Sequence, residues 1–162
     1  MITYIEKGLG LHEAIKSAGH WLMQIDGAWQ SSDDVAVQQI IDTYDPLPQV
    51  QAAMWKEIQT EREARKMAGL PLSGKRFHSD ADSRIQQLGL AMLGANIPVG
   101  LQWKTMDGSF VEMTPTLAQQ IFIGTAQRDT AIFAAAEAHR AAMIALSWQD
   151  AEQYDYSQAW PE

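Results

Sequence analysis

The sequence predicts an α+β protein of short helices and β-hairpins in two small modules, the C-terminal one ordered helix, hairpin, helix, hairpin, long helix. Three observations point there. Asp26-Gly27, Ser73-Gly74 and Asp107-Gly108 each divide a short strand-like run in two, as tight hairpin turns do. Between the turns, apolar residues return at three- and four-residue spacing, the period of a half-buried helix. No strand-helix-strand repeat suggests a parallel sheet, so the strands are expected to pair locally.

The N-terminal module is expected over residues 1–45. Residues 2–6 (ITYIE) read as a short strand broken by Gly8 and Gly10. Leu11, Ile15 and Ala18 share one face of a helix over 11–18, and Gly19 stops it by accepting a left-handed backbone. WLMQI (21–25) and AWQ (28–30) are the strands around Asp26-Gly27. Ser31-Ser32-Asp33-Asp34 then offers caps and negative charge to a helix N-terminus. Val37, Ile40, Ile41 and Tyr44 form that helix's buried stripe. Asp45-Pro46-Leu47-Pro48 ends it, because proline cannot continue the hydrogen-bond ladder, and 46–49 becomes the expected linker. So small a module buries little area alone. It is expected to pack on the second module, on a copy of itself or on a partner.

The C-terminal module is expected over 50–162. A helix over 49–68 places Val50, Met54, Ile58 and Arg65 near one face, with charges over the rest and Glu61 set to pair with Arg65. A stripe this thin suits a surface-packed helix or a coiled-coil strand, so a homo-oligomer stays open. Gly69 closes the helix, and 70–77 form the hairpin about Ser73-Gly74. Ser79 followed by Asp82 resembles a capping box for a helix ending near Leu93, with Ile85, Leu88 and Met92 as its buried face and Gly94 as its stop. After a turn at 97–100, strands over 101–106 and 109–113 flank Asp107-Gly108. Thr114 as N-cap and Pro115 at the first helical position open a last helix to Leu146. Leu117, Ile121, Ile132, Phe133 and Met143 mark its buried side, and Gly124-Thr125 is a weak point where it could bend. Residues 147–162 show no helical period and read as a tail lying against another surface.

Composition narrows the function classes. The chain has 162 residues, 46% of them hydrophobic and 20% charged, which supports a packed core. Its net charge of −8 repels phosphate backbones, and apart from Arg62, Arg65 and Lys66 its basic residues are scattered, so no nucleic-acid partner is expected. No run of ~18 apolar residues predicts a membrane span. MITYIEKG lacks the basic and apolar regions of a signal peptide. Cysteine is absent, which excludes disulfides, zinc-thiolate sites and thiol catalysis, and fits synthesis in a reducing cytoplasm. There are six tryptophans. Trp21, Trp29 and Trp103 are expected in cores. Trp148 and Trp160, with Tyr154 and Tyr156 beside them in the polar tail, are the candidate partner-binding residues. Met92, Met106, Met113 and Met143 are expected in ordinary packing.

Few residues suggest chemistry. The histidines His12, His20, His78 and His139 form no pair at helical i, i+4 spacing. His78 with Asp80 and Asp82 is the nearest approach to a metal site, but carboxylates at a helix N-terminus are better explained as caps. Ser83 near His78 lacks the Gly-x-Ser-x-Gly elbow of a hydrolase. Gly8-x-Gly10 lacks the third glycine of a dinucleotide fingerprint, and Asp33, Asp34 and Asp42 do not match a calcium loop. Arg84 is either a partly buried ion-pair partner for an acid such as Glu112 or a surface residue. No catalytic residue, cofactor or metal ligand is expected, and the chain reads as a non-enzyme.

Phe77-His78-Ser79-Asp80, Asp82-Ser83-Arg84, Gly94-Ala95, Pro98 and Trp103-Lys104-Thr105-Met106-Asp107-Gly108-Ser109-Phe110 resemble a family of domains of unknown function from the tail and tail-fibre gene clusters of tailed bacteriophages and prophages. The long alanine-rich helix and Tyr154…Trp160-Pro161 also fit, so this resemblance covers about 50–162. The preceding segment is similar to short leader modules of such phage proteins. The resemblance implies a tail-associated structural or accessory protein, made in the bacterial cytoplasm and placed on the virion tail, with the tail fibre or baseplate as partner. Trp160-Pro161 is also similar to tail-fibre assembly chaperones, the alternative role. The family implies no catalytic residues.

Overall fold

The computed structural model describes residues 2–162. Its class is α+β, with six α-helices and three antiparallel two-stranded hairpins among the described residues. Contacts divide the chain into two compact units: residues up to Met54 with Ile144–Tyr154, and Trp55–Met143 with Asp155–Glu162.

The first unit contains α1 (Leu9–Ser17), the hairpin of β1 (Leu22–Ile25) and β2 (Ala28–Ser31), α2 (Asp34–Thr43), the start of α3 (Leu47–Met67) and α6 (Trp148–Glu152). Asp26 and Gly27 both have positive φ, 51° and 79°, so the predicted tight turn forms and sets the register Ile25↔Ala28. Asp33 caps α2 by accepting from the Val35 and Ala36 amides at 2.9 and 3.0 Å. Leu11, Ile15, Val37 and Ile41 are buried together with Ile2, and Tyr4, Leu22, Trp29, Ile40 and Tyr44 pack around them. Tyr4 stacks on Trp29 at 4.0 Å. The Lys7 ammonium donates to the Ile41 and Tyr44 carbonyls at the end of α2, where the helix dipole favours a cation.

Several expectations for this unit fail. Residues 2–6 form no strand. Their backbone finds a side chain instead of a neighbouring strand: the Thr3 amide donates to Gln38 Oε1 at 2.7 Å, and Gln38 Nε2 donates to the Thr3 carbonyl at 3.2 Å. Leu47, Pro48 and Gln49, expected as linker, are the first turn of α3, where a proline sacrifices no helical bond. Trp21, expected in the core, is 45% exposed. The tail begins with a helix, α6, because Ser147 and Asp150 cap it reciprocally: the Ser147 hydroxyl donates to Asp150 and accepts from its amide. Five residues are too few to show a period in sequence.

The second unit holds most of α3, β3 (Leu70–Leu72), β4 (Lys75–Phe77), α4 (Ala81–Leu93), a 3₁₀ turn (Gly94–Asn96), β5 (Gln102–Lys104), β6 (Phe110–Glu112) and most of α5 (Pro115–Ile144). Its core gathers Leu70, Phe77, Ile97, Met113, Ala118 and Ile121, with Trp103 packed against them. Ser73 and Gly74 both take positive φ, as a two-residue turn needs. Thr114 caps α5 through the Leu117 amide at 3.1 Å. Glu61 and Arg65 pair at 2.7 Å.

The C-terminal end of α3 is where the basic residues converge. Its last carbonyls would otherwise be orphans. Arg128 donates to the Arg65 carbonyl, Arg84 and the Ser79 hydroxyl to that of Lys66, and Arg76 to that of Ala68. Arginines arriving from β4, α4 and α5 thus complete the cap and meet the negative end of the dipole.

Six details of the second unit differ from expectation. Ser79 does not cap α4. Its hydroxyl is consumed at α3 and Gly69, and Asp80 caps α4 through the Ser83 amide at 3.0 Å. Ile85, Leu88 and Met92 are exposed, and Gln87 is the buried residue of α4. The β5–β6 loop is one residue longer than a two-residue turn: Thr105 pairs with Ser109, and Gly108 alone has positive φ, which is the three-residue loop with a glycine bulge. Helix α5 runs unbroken through Gly124, whose missing Cβ lets Leu70 pack close; a Cβ there would lie 3.2 Å from Leu70 Cδ2. Phe133 is exposed on its own helix but lies under the Arg62 and Lys66 cations, 4.4 and 5.1 Å from its ring centre. Of the four methionines expected in packing, Met113 and Met143 are buried, and Met92 and Met106 are exposed.

Candidate functional site

The clearest candidate in the first unit is one face of the β1–β2 hairpin. Side chains alternate along a strand, so Leu22 and Trp29 face the core while Trp21, Met23 and Ile25 face away from it. All three outward residues are exposed. The solvent face of an antiparallel hairpin is ordinarily polar. Here it carries a tryptophan, a methionine and an isoleucine in a row, with Ala28 and Gln30 opposite Ile25 and Met23. Trp is an anchor-type residue, and Met adapts its shape to a partner.

In the second unit, α4 and α5 expose a second apolar face. Ile85 is 69% and Met92 79% exposed, with Leu88, Phe122 and Ile123 also open to solvent. A groove of ≈ 310 Å³ runs between the helices, with Leu88 and Phe122 on its walls and the Arg84–Asp129 pair at its edge. The Thr125 hydroxyl at its base is buried without a hydrogen-bond partner among the described residues. Polar anchors explain why α4 turns its apolar stripe outward. Gln87 donates to the His78 carbonyl at 2.7 Å. Arg84 binds Asp129 of α5 through both terminal nitrogens, with Nη2 3.1 Å from Oδ1. Arg84 is therefore the partly buried ion-pair partner, and its acid is Asp129, not Glu112.

Asp80, Ser83 and His78 have structural partners, and Asp82 lies exposed in the first turn of α4. Asp80 caps α4, and its carboxyl is held below the usual range by the Ser83 amide and hydroxyl. His78 Nδ1 is 4.0 Å from Asp80 Oδ2. The Ser83 hydroxyl donates to Asp80 at 2.7 Å, so it is committed to a carboxylate and not to His78. Among the described residues no three His, Asp or Glu side chains gather closely enough to hold a metal.

Asp107 is the most perturbed acid, and in sequence it reads only as a turn residue. Its carboxylate accepts from the Thr105 hydroxyl at 2.6 Å, the Ser109 hydroxyl and amide at 2.7 and 2.9 Å, and the Lys75 ammonium at 3.0 Å. These donors, the Thr105 hydroxyl first, hold the carboxyl far below its ordinary value of 3.8. A depressed folded-state value stabilises the fold above the unfolded value and is lost as pH falls below it. The melting temperature of wild type minus that of Asp107→Asn should therefore be constant above about pH 5 and shrink progressively in more acid solution. Thermal melts across acid pH check this; a difference independent of pH would contradict it.

The four tail aromatics sit in two settings. Trp148 and Tyr154, in the first unit, are half-buried. Trp160, in the second, lies 5.0 Å from His139 and 5.1 Å from the Arg65 guanidinium, and its indole N–H donates to the Tyr156 carbonyl at 2.6 Å. The Tyr156 hydroxyl donates to Glu57 at 3.2 Å. The hairpin face, by contrast, was hidden in sequence because Trp21 reads as core. The signal that could have found it is the apolar residue at every position of 21–23.

Residues 49–158 match the family described as Domain of unknown function (DUF4376). No curated protein and no solved structure matches the chain.

Proposed function

The chain belongs to the DUF4376 family, and we propose that it is a non-catalytic accessory protein of a bacteriophage tail, bound to the tail fibre or baseplate. The observation that carries a protein-binding role is the outward face of the β1–β2 hairpin, with Trp21, Met23 and Ile25 in one exposed row. This face lies outside the matched residues 49–158, although the unit that carries it also contains matched residues, among them Ile144–Tyr154. The tail setting rests on the resemblance of 77–115 to domains of phage tail-region proteins. Synthesis takes place in the host cytoplasm, and the virion tail is the destination.

Mass spectrometry of purified phage particles, quantifying this chain against the major tail protein, tests the reading. A fixed copy number is the expected result. Presence in the lysate with absence from particles would replace it with a tail-fibre assembly chaperone. A chain that neither enters particles nor co-purifies with the tail fibre or baseplate from the lysate would overturn both. A paired substitution, Trp21→Asp with Met23→Asp, should abolish incorporation into particles while leaving the chain folded, because both side chains are about half exposed. Unchanged incorporation would remove the hairpin face from the mechanism.

A further inference from the structure

We infer that the exposed face of α4 is a two-fold interface with a second copy of this chain. The face lies in a stretch without charge. From Ile85 to Trp103, and again from Met113 to Gln127 on β6's exit and α5, there is no Asp, Glu, Lys, Arg or His. The chain as a whole carries −8, so over most of its surface two copies that meet bring like charges together. Here they do not. Loss of charge is also what marks the centre of protein interfaces.

The pattern is self-complementary. Ile85, Leu88, Gly89 and Met92 fall on one stripe of α4, and all four are exposed. The stripe is symmetric about the midpoint between Leu88 and Gly89. Under a two-fold axis through that point, antiparallel copies of α4 set Ile85 against Met92 of the other copy, and Leu88 over Gly89. A Cβ at Gly89 would meet nothing within 4 Å, so the glycine leaves an open notch for the leucine. Closed two-fold pairing is the commonest symmetry of soluble oligomers.

The area is sufficient. Ile85, Leu88, Met92, Leu93, Phe122 and Ile123 are all exposed. Together they offer on the order of 600 Å² of apolar surface per copy, taking roughly 200 Å² for a fully exposed large side chain. A standard interface buries roughly 800 Å² per partner, polar rim included. Gln86 and Gln119, both exposed, are available to that rim.

Sedimentation velocity of the full chain, from low to high micromolar concentration, tests the interface. Wild type should move from the mass of one chain to that of two. Gly89→Glu places two carboxylates at the axis and should weaken self-association by roughly tenfold or more, the scale of a central interface position. The same variant should melt no lower than wild type, because glutamate is a better helix former than glycine at an exposed site. Met92→Lys, at the other end of the stripe, should weaken the dimer as well. A wild type that remains a single chain at every concentration overturns the inference. So does a Gly89→Glu variant that still forms the dimer, which would place self-association elsewhere. The test is independent of the particle measurement above.

Discussion

Arg84→Ala is expected to destabilise the second unit by about 2–4 kcal/mol, the upper range for a single side chain outside an apolar core. One guanidinium serves three partners. It holds Asp129 of α5, the Lys66 carbonyl at the end of α3 and the Ser79 carbonyl before α4. Its side chain is 28% exposed and that of Asp129 21%, so removal strands a carboxylate that water reaches only in part. The estimate sits below the cost of breaking a fully buried pair for that reason. Arg84→Lys should recover little, because a point charge cannot reproduce the planar fork. Chemical denaturation measures the loss as a shift in midpoint at unchanged slope. A double-mutant cycle with Asp129→Ala should show coupling above about 1 kcal/mol, and coupling near zero would reduce the pair to a screened surface bridge. Arg84 also helps to set the rotation of α4, so the same variant should loosen the presentation of Ile85, Leu88 and Met92.

Phe77→Ala should cost about 3–5 kcal/mol, the range for deleting a buried aromatic ring. Phe77 lies at the end of β4 with almost no exposed surface, among Leu70, Ile97, Met113, Ala118 and Ile121. These residues come from β3, α5 and the segments flanking β5 and β6, so the cavity would open where four parts of the chain meet. Phe110, on β6, provides the control. Its ring is largely exposed, and Phe110→Ala should change stability by less than about 0.5 kcal/mol. Calorimetry of the two variants side by side separates burial from residue type. Equal losses would mean that the hairpin, and not the core, holds this part of the unit.

The two predictions concern opposite kinds of anchor, and the contrast explains where surface was left for partners. Phe77 is buried because aliphatic residues from every neighbouring element close over it. Helix α4 is held by polar contacts, Arg84 to Asp129 and Gln87 to the His78 carbonyl, and these use the face that an apolar stripe would ordinarily occupy. Ile85, Leu88 and Met92 consequently face outward, while Leu90 packs against the core. A sequence period reports that a helix has two unlike faces. It does not report which face meets the chain's own core, because the energy of burying Ile85 and Met92 is the same against a copy or a partner.

The α+β class and the features whose physics is local are legible in the residues alone. The Asp26-Gly27 and Ser73-Gly74 turns, the Asp33 cap, the Thr114-Pro115 helix start and the Glu61–Arg65 pair each depend on residues within a few positions of one another. Backbone sterics, capping hydrogen bonds and pairing at i, i+4 settle them without any distant contact. Packing between distant segments set the rest. Residues 2–6 have strand composition but no strand to pair with, and a glutamine 35 positions away takes that role. Ser79 was drawn from its own helix to the end of α3, because orphan backbone groups there were closer to its hydroxyl. Trp21 went outward while Trp29 went inward, since the hairpin has two faces and only one core to cover. Each of these outcomes turns on distant groups competing for the same partner, and that competition is resolved only when the elements pack.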